Sequence, residues 1–350
     1  MKVAIISDTH AGVRADSIPF ADHQDKFYKE FFFPYLKEHG IKTILHGGDF
    51  FDRRQFVTLK TMDRLKQTFC DELVKGEYEL HILVGNHDVL YRNTNDVNSP
   101  SVLFHGYPNV KIYTEPAVVE NVLLIPWINK ENYQETLEIM NKSEQKYVLG
   151  HFEIKGFEMH KGAVCESGME SSVFDRFALV MSGHFHTRSS SGNITYVGSP
   201  FEMTWSDYND PRGFHIFDTD TGELQFVMNP ESMFFRCEYD TIENVKSWTP
   251  YKPESLKDKY VKVIVKNKGS AYTFDTWVKE IVSYSPADLQ IIESNVDVTG
   301  VELSIEELEQ KSKSNIELIY EYVNVLALQD DRRTKVFDYM KTLYSECSQM

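Results

Sequence analysis

Aspartate, asparagine and histidine residues recur in short clusters along the first half of the chain, and these side chains readily bind divalent metal ions. The clusters are Asp8-Thr9-His10, Gly48-Asp49, Gly85-Asn86-His87-Asp88, Gly150-His151 and Gly183-His184-Phe185-His186. Carboxylate, amide and imidazole donors together suit hard or borderline ions. Two such ions, roughly 3.5–4 Å apart, can activate a water and hold the oxygens of a phosphate group. The clusters therefore predict a two-metal site that hydrolyses phosphoesters.

The spacing within the clusters supports a shared site. Side chains two positions apart in an extended segment point the same way, so the Asp8/His10 pair and the His184/His186 pair can each face one metal site. Asp49 follows its strand alone, and we expect it to bridge, because a carboxylate can offer one oxygen to each ion. Any one of these residues is more simply explained as a core or capping residue. The coincidence of five clusters favours the metal site.

Each cluster follows a predicted strand. The predicted strands are 3–7, 42–45, 79–84, 122–127, 147–149, 177–181 and 194–197. Between them lie a helical region at 24–39, which Pro34 is expected to kink or split, and a helix whose core-facing stripe runs from Leu59 to Leu73. This alternation predicts an α/β fold, a layered sheet sandwich flanked by helices. Ligands are expected at the carboxyl ends of the strands.

The chain is predicted to have three parts. The metal clusters and the strands around them fall in a domain over residues 1–230. A strand–helix–strand pattern at 260–265, 274–284 and 289–292 predicts a small α+β domain over 235–295. Residues 300–350 contain two amphipathic helices, the first opening with Ser304 and Glu307 at capping-box spacing. From their pattern alone, these helices either dock on their own domain or bind a partner helix.

The composition is that of a globular protein, with 41% hydrophobic and 26% charged residues. No apolar run approaches the roughly 18 residues of a membrane span. The first residues are typical of a buried strand rather than a signal peptide. Four scattered cysteines form no CxxC pair, which predicts free thiols in a reducing cytosol.

The net charge of −16 argues against a protein that holds nucleic acid unaided. A nucleic-acid role would require bound metal, a local basic patch or a partner. Residues 50–66 supply such a patch, with five basic side chains against Asp52 and Asp63. The basic residues are Arg53, Arg54, Lys60, Arg64 and Lys66.

The motifs DTH, GGD, GNHD, GHF and GHFH, in this order from Asp8 to His186, resemble the calcineurin-like metallophosphoesterase superfamily. The resemblance implies a first ion held by Asp8, His10 and His186, and a second held by Asn86, His151 and His184, with Asp49 between them. It further implies that His87 contacts the scissile phosphate and helps to protonate the leaving group. Asp88 would orient His87.

Two branches of the superfamily compete. The segment GDFFDR resembles the GDxVDRG motif of protein serine/threonine phosphatases, but Arg54 replaces the glycine that follows, and GNHD replaces GNHE. The DTH at the extreme amino terminus, the GHFH ending, Gly198-Ser199-Pro200 and the three-part organisation are more similar to the SbcD nuclease family. The short, acidic chain is typical of its bacterial or bacteriophage members.

The SbcD resemblance implies a DNA nuclease with 3′–5′ exonuclease activity on duplex ends and endonuclease activity. Its cofactor would be Mn²⁺, with Mg²⁺ or Fe²⁺ as alternatives. It would act in double-strand-break repair, recombination and replication, in the cytoplasm of a bacterium or of a viral host. Residues 300–350 would bind the coiled-coil base of an SbcC-like ABC ATPase, and 235–295 would form a capping domain. Homodimerisation is implied, with helices at 58–75 and near residue 100 as candidate faces.

The expected DNA contacts are Asp52, where archaeal and eukaryotic members often carry histidine, and the basic residues of 53–66. Weaker candidates are Arg92, Lys155, Arg188 and Arg212. Two alternatives remain at this stage: a phosphoprotein phosphatase or small-molecule phosphodiesterase, and a non-catalytic scaffold subunit. The complete ligand set argues against the scaffold.

Overall fold

The computed structural model describes residues 1–160, 162–241, 245–247 and 253–293, together with residues 323, 332, 333, 335, 336 and 340. The chain divides into two compact units, Met1–Phe235 and Arg236–Met350. The helices predicted over 300–350 lie almost entirely outside the described residues. Within the described part, no helix combines the length and apolar character needed to cross a membrane.

The first unit is built on two six-stranded mixed sheets, which confirms the predicted α/β layered fold. Its strands in chain order are β1 (Lys2–Ile6), β2 (Thr43–His46), β3 (Glu79–Leu83), β4 (Val110–Tyr113), β5 (Ala117–Val119), β6 (Val122–Ile125), β7 (Tyr147–His151), β8 (Glu158–His160), β9 (Ala163–Val164), β10 (Leu179–Gly183), β11 (Ser189–Ser191), β12 (Ile194–Tyr196), β13 (Gly213–Asp218) and β14 (Leu224–Met228). The seven predicted strands are all present. The segment 218–222 closes the hairpin between β13 and β14.

The first sheet has the order β14-β13-β1-β2-β3-β4, and the second has the order β11-β12-β10-β7-β6-β5. Strands β1 to β4 run parallel to one another, as do β6, β7, β10 and β12. The strands that complete the sheets are antiparallel to their neighbours. Consequently the carboxyl ends of the parallel strands in each sheet lie along a common edge.

The core between the sheets is formed by alternate residues of the strands, because successive side chains in a strand point to opposite faces. Val3 and Ile5 lie in this core, whereas Leu123 and Ile125 of β6 lie in a separate core on the other face of the second sheet. The central residues of the inner core are Val3, Ile5, Leu45, Leu83, Val122, Leu124, Leu149 and Met181.

Helices are inserted between the strands of the first unit. They are Ile18–Lys26, a π-helical turn at Phe27–Phe32, Phe33–Glu38, Leu59–Leu65, a second π-helical turn at Lys66–Cys70, Asp71–Lys75, Ser99–Leu103 and Tyr133–Lys142, with shorter helical turns at Val13–Asp16, Ser171–Phe174 and Trp205–Asp207. Pro34 does not split its helix. The π-helical turn precedes it, and Phe32 and Phe33 keep right-handed helical dihedrals, so the missing N–H is accommodated without a break.

The stripe predicted from Leu59 to Leu73 is correct for Leu65 and Leu73, which are buried, but wrong for Leu59, which is 89% exposed. Leu59 begins its helix directly after Thr58, whose hydroxyl caps the helix by accepting from the Thr61 N–H. The hydroxyls of Thr58 and Thr61 both donate to Asp16. These bonds turn the threonine face of the first turn inward and leave Leu59 in solvent.

The second unit contains the predicted strand–helix–strand pattern within a four-stranded sheet of order β16-β15-β17-β18. Its elements are β15 (Phe234–Asp240), β16 (Val245–Ser247), a helical turn at Pro253–Leu256, β17 (Tyr260–Asn267), a helix at Ala271–Ser283 and β18 (Asp288–Glu293). The helix packs on the sheet through Phe274 and Trp277, whose rings lie 5.0 and 4.9 Å from that of Tyr239. Cys70, Cys165 and Cys237 are buried free thiols.

Candidate metal centre

The predicted metal ligands all lie at the carboxyl ends of strands. Asp8 and His10 follow β1, Asp49 follows β2, Asn86 follows β3, His151 ends β7, and His184 and His186 follow β10. Two groups of three have ligand atoms within 4.8 Å of one another: Asp8, His10 and His186 in one, and Asp49, His151 and His184 in the other.

Short contacts hold each group together. In the first group, Nε2 of His10 lies 3.0 Å from Nε2 of His186. In the second, the side-chain oxygen of Asn86 lies 2.9 Å from Nε2 of His151 and 2.9 Å from Nδ1 of His184. The four residues Asn86, Asp49, His151 and His184 thus surround one point at the edge of the sheets.

Asp49 lies against both groups. Its Oδ2 is 3.3 Å from Nε2 of His151 and 3.8 Å from Nε2 of His10. Its Oδ1 accepts a hydrogen bond of 2.7 Å from the backbone N–H of His87. Asp49 therefore lies where a carboxylate that bridges two metal ions, one in each group, would have to lie.

The contact between His151 and Asn86 tests whether a cation fits the second group. Nδ1 of His151 donates to the carbonyl of Gly47 at 2.8 Å, so in the neutral ring Nε2 carries only a lone pair. That lone pair faces the Asn86 oxygen, which is also an acceptor. Two acceptors this close require a proton or a metal ion, and the oxygen and nitrogen donors around them suit a divalent ion.

The charges in the site are strongly coupled. Burial alone would lower the pKa of His151, but the carboxylates of Asp49 and Asp8 raise it to about 9. Burial acts to raise the pKa of Asp49, yet the neighbouring His151 holds it well below its ordinary value. Burial, reinforced by the charge of His151, lowers the pKa of His184 to about 3. Asp49 is thus an anion, and His184 is a neutral ring suited to metal binding.

Four candidate ligands have positive φ angles, which non-glycine residues rarely adopt: 54° at Asp8, 42° at His10, 53° at Asp49 and 86° at His184. Such conformations cost about 1–3 kcal/mol each and persist only where the surroundings enforce them. Here the Asp8 N–H donates to the Gly48 carbonyl at 3.0 Å, and the His10 N–H donates to the Asp49 carbonyl at 3.1 Å. The loops after β1 and β2 therefore hold each other in the strained shape.

Glycines allow the loops to approach this closely. A Cβ on Gly85 would lie 2.3 Å from both the backbone nitrogen and Oδ1 of Asp49, and one on Gly48 would lie 2.5 Å from Nδ1 of His151. Gly48 also has a φ of 101°. At both positions the glycine is required because a side chain would displace a candidate ligand.

One ring nitrogen of His87 is hydrogen-bonded within the protein, and the other is free to contact a substrate. Its Nδ1 donates to the backbone carbonyl of Asp52 at 2.7 Å, which leaves Nε2 unengaged. The expectation that Asp88 orients His87 is wrong. The Asp88 carboxylate is fully buried and accepts hydrogen bonds from the backbone N–H groups of Gly85, Phe50 and Phe51. Asp88 therefore fixes the loops that carry Asp49 and Asn86, and the orienting partner of His87 is a carbonyl.

Asp52 has contacts of its own in the site. Besides its carbonyl bond to His87, its Oδ1 lies 3.5 Å from Nδ1 of His10. Asp52 thus supports two site histidines, and this is the role that the structure gives to a residue predicted to contact DNA.

Several basic residues predicted to contact DNA are engaged within the protein. Arg64 pairs with Asp22 and Asp25. Arg212 is only 4% exposed; it donates to the His186 carbonyl and pairs with Asp207 at 2.8 Å. The prediction that Arg212 is a surface contact is therefore wrong, since burial makes it a support for the loop of His186.

The remaining basic candidates are at the surface. Lys155 pairs with Glu170, Arg188 lies over the ring of Phe226 at 4.5 Å, and Arg53 lies 3.9 Å from Asp16 and over Phe56. Five of the candidate DNA contacts have no ion-pair partner within 4.0 Å among the described residues. These are Arg54, Lys60, Lys66, Arg92 and Arg188.

Trp127 is a site residue that the sequence did not single out. Its ring centroid lies 5.4 Å from that of His184 and 5.9 Å from that of His151. The available signal was its place just after β6, at the same sheet edge as the ligands.

The two mixed sheets and the paired clusters at their edge define a metallophosphoesterase. The calcineurin-like phosphoesterase family matches residues 1–188, and the chain belongs to this family. The chain is also 34% identical over 355 residues to exonuclease subunit 1 of Enterobacteria phage T4, covering all of both chains. These findings confirm the resemblance to SbcD-type proteins and the prediction of an enzyme.

Similar solved structures include an archaeal phosphodiesterase, with 14% identity, coverage of 65% of this chain and 100% of the other, and a TM-score of 0.32. Another is the nuclease MPE of Pseudomonas putida, with 15% identity, coverage of 64% and 87%, and a TM-score of 0.29.

Proposed function

We propose that the chain is the nuclease subunit of a DNA-processing complex and hydrolyses DNA phosphodiesters with two divalent cations, most favourably Mn²⁺. The observation that carries this proposal is the pair of ligand groups that share Asp49 at one sheet edge. The family membership and the exonuclease name of the phage relative support it.

Asp8, His10 and His186 would hold one cation, Asn86, His151 and His184 the other, and Asp49 would lie between them. Bound divalent ions lower the pKa of water and neutralise charge on a phosphate. The protein's part is to fix its donors beforehand: Gly47 sets the tautomer of His151, and the buried Arg212 fixes the backbone of His186.

His87 would act on the leaving group. Since its Nδ1 is bound to the Asp52 carbonyl, its Nε2 is the atom free to contact a phosphate or to give a proton to the departing oxygen. Its ring centroid lies 5.0 Å from that of His10, which places it beside the candidate metal ligands.

DNA would be held through its phosphates by the unpaired cations at the surface. Arg54, Lys60, Lys66, Arg92 and Arg188 are the members of the predicted set with no acidic partner in the described residues. Such contacts are independent of sequence and weaken with salt. A nuclease that trims ends by 3′–5′ exonuclease and endonuclease steps needs this lack of sequence preference.

One assay tests the activity. The purified chain is incubated with Mn²⁺ and offered a 5′-labelled duplex, a single strand, and p-nitrophenyl phosphate as a phosphomonoester. Cleavage of DNA that EDTA abolishes is expected. Rapid turnover of the monoester with no DNA cleavage would refute the nuclease and favour a phosphatase.

We further propose a partner, an SbcC-like coiled-coil ABC ATPase bound through residues 300–350, with 235–295 as a capping domain. The word "subunit" in the name of the full-length relative supports this assembly. The complex would act in double-strand-break repair, recombination and replication, in bacterial or host cytoplasm. Deletion of 300–350 should abolish co-purification with the ATPase while Mn²⁺-dependent cleavage by the remaining chain persists.

A homodimer is also proposed, through the face that carries exposed apolar residues of the 53–59 loop and the 97–103 segment. Phe56, Val97 and Val102 line one depression there and are 53%, 46% and 68% exposed. Leu59, three residues after Phe56, is 89% exposed. Apolar exposure of this kind is typical of protein contacts. Val102→Glu should shift the mass measured by light scattering to that of a monomer.

A further inference from the structure

An open depression of about 530 Å³ lies beside the candidate metal centre and contains none of its ligands. Its lining residues are Arg92, Trp127, Ile128, Asn129, Lys130 and Tyr133. Trp127 connects it to the centre, because the same indole lies 5.4 Å from the ring of His184. We call this depression the Trp127 groove.

The floor of the groove is rigidly held. The backbone N–H of Trp127 donates to the carbonyl of Val84 at 2.8 Å. Its carbonyl accepts from the side-chain amides of Asn95 at 2.9 Å and Asn132 at 3.0 Å. Buried Asn129 donates to Asn95 at 3.2 Å, which completes the network. A surface fixed in advance loses little conformational entropy when a ligand binds.

The groove presents aromatic faces together with cations. Trp127 is half-buried, and Tyr133 is 38% exposed at the start of the next helix. Arg92 and Lys130 are exposed and have no ion-pair partner among the described residues, while the adjacent Glu131 accepts a hydrogen bond from Asn93.

Aromatic side chains beside cations are the means by which proteins bind single-stranded nucleic acid. Bases stack on the rings, and the cations neutralise the phosphates. A base within a duplex is covered by its neighbours on both faces and cannot stack on an indole. Stacking in this groove would therefore favour an unpaired base over a base in the interior of a duplex.

We propose that the Trp127 groove binds an unpaired nucleotide adjacent to the scissile phosphate, with its base stacked on Trp127 or Tyr133 and its phosphate beside Arg92 and Lys130. This inference rests on the proposed nuclease function. It assigns the substrate at the cleavage point as a single strand or a frayed end.

Binding is measured by fluorescence anisotropy with a labelled ten-nucleotide oligothymidylate and with a blunt hairpin duplex. All chains in this assay also carry His87→Ser, so that the DNA is not cleaved during the measurement. Tyr133→Ala and Lys130→Ala should each weaken binding of the single strand about tenfold and change binding of the duplex less than twofold. Trp127→Leu should show the same loss, and Trp127→Phe, which keeps a ring, should stay within about threefold. Lys142→Ala, which removes an exposed lysine from the same helix as Tyr133, is the charge control.

Cleavage assays distinguish a failure of the groove proposal from a failure of the proposed nuclease function. With otherwise wild-type chains, the ratio of oligothymidylate cleavage to bis(p-nitrophenyl) phosphate turnover should fall about tenfold in Tyr133→Ala and stay constant in Lys142→Ala. The proposal that the groove binds an unpaired nucleotide would be overturned if Tyr133→Ala and Lys130→Ala weakened binding of the single strand and of the duplex equally, or weakened neither. If the wild type hydrolysed bis(p-nitrophenyl) phosphate but cleaved no DNA, the proposed nuclease function itself would be overturned.

Discussion

Nε2 of His151 lies 2.9 Å from the side-chain oxygen of Asn86, and in the neutral side chains both atoms are hydrogen-bond acceptors. The Gly47 carbonyl fixes this arrangement by engaging the other ring nitrogen of His151. Because the pKa of His151 is raised to about 9, a proton on Nε2 satisfies this contact when no metal is bound. A divalent ion held by the same residues would take the place of that proton, and because it would bind the folded state only, metal binding is expected to stabilise the fold.

The first prediction concerns that stabilisation. Mn²⁺ at about 100 times its Kd should contribute about 2.7 kcal/mol for each site, which corresponds to a rise in Tm of about 5–10 °C per site for a unit of this size. His151→Ala should lose at least half of this rise, because it removes a donor from the second group. Differential scanning calorimetry with and without EDTA measures the change.

The matched control is His105→Ala, which removes an exposed histidine outside the site. Its Mn²⁺-dependent rise in Tm should equal that of the wild type. An unchanged rise in His151→Ala would contradict the assignment of His151 as a ligand.

A second prediction concerns His87. Because its free Nε2 is the proposed proton donor to the leaving group, His87→Ser should lower kcat for DNA by about 10²–10⁴-fold. The Mn²⁺-dependent rise in Tm should change little, since His87 belongs to neither ligand group. Single-turnover cleavage and calorimetry measure the two quantities. Retention of kcat within threefold would exclude the role.

A third prediction concerns the closest approach between two loops. Gly85→Ala introduces a methyl group 2.3 Å from the backbone nitrogen and Oδ1 of Asp49. We expect a loss of about 1–3 kcal/mol in the free energy of unfolding and at least a 10²-fold loss of activity, because Asp49 must move. Urea unfolding and cleavage rates measure the two effects.

Gly106→Ala is the matched control, since a Cβ at Gly106 meets no atom within 4 Å. It should behave as the wild type in both assays. If Gly85→Ala also did so, the loops would be looser than the structure indicates.

The fourth prediction concerns pH. Burial raises the pKa of Glu202 to about 7, although its carboxylate accepts from the N–H groups of Met233 and Phe234. The ordinary value is 4.5, so between pH 4.5 and 7 the folded state binds the proton more tightly than the unfolded state. Glu202 therefore favours folding most at low pH, and this contribution, at most about 3 kcal/mol, is lost as the pH rises to 7.

Glu202→Gln cannot ionise and keeps one oxygen for the two backbone donors. In EDTA, the difference in unfolding free energy between pH 5 and pH 8 should therefore be smaller in this variant than in the wild type. Urea titrations at both pH values measure it. Glu166→Gln, at an exposed glutamate, should match the wild type. Equal pH dependence in all three proteins would mean that Glu202 titrates normally.

The sequence predicted the strands and the convergence of polar residues because both follow from local pattern. Parallel strands bring their carboxyl ends to one edge, so Asp8 and Asp49 could be placed together without a structure. The positive φ angles of these residues could not be foreseen, because they depend on hydrogen bonds between loops about 40 residues apart.

The partners of charged side chains are harder to predict from the sequence than the positions of the strands. Counting basic residues in 50–66 included Arg64, whose partners Asp22 and Asp25 lie on an earlier helix. The sequence alone makes Arg212 a candidate DNA contact, because nothing local shows that Asp207 and Ser199 enclose it. The sequence pairs Asp88 with its neighbour His87, whereas the hydrogen-bond partners of Asp88 come from two loops. Side-chain partners separated along the chain are set by tertiary packing.

The two ligand groups draw on different sheets: Asp8 and His10 follow a strand of the first sheet, whereas His186 follows a strand of the second. Asn86 and His151 are divided in the same way. Each bound cation would therefore act as a cross-link over the open end of the sandwich. Removal of the metal by a chelator should therefore accelerate amide hydrogen exchange at the carboxyl ends of the strands in both sheets. The exchange rate there would report how fully the metal sites are occupied.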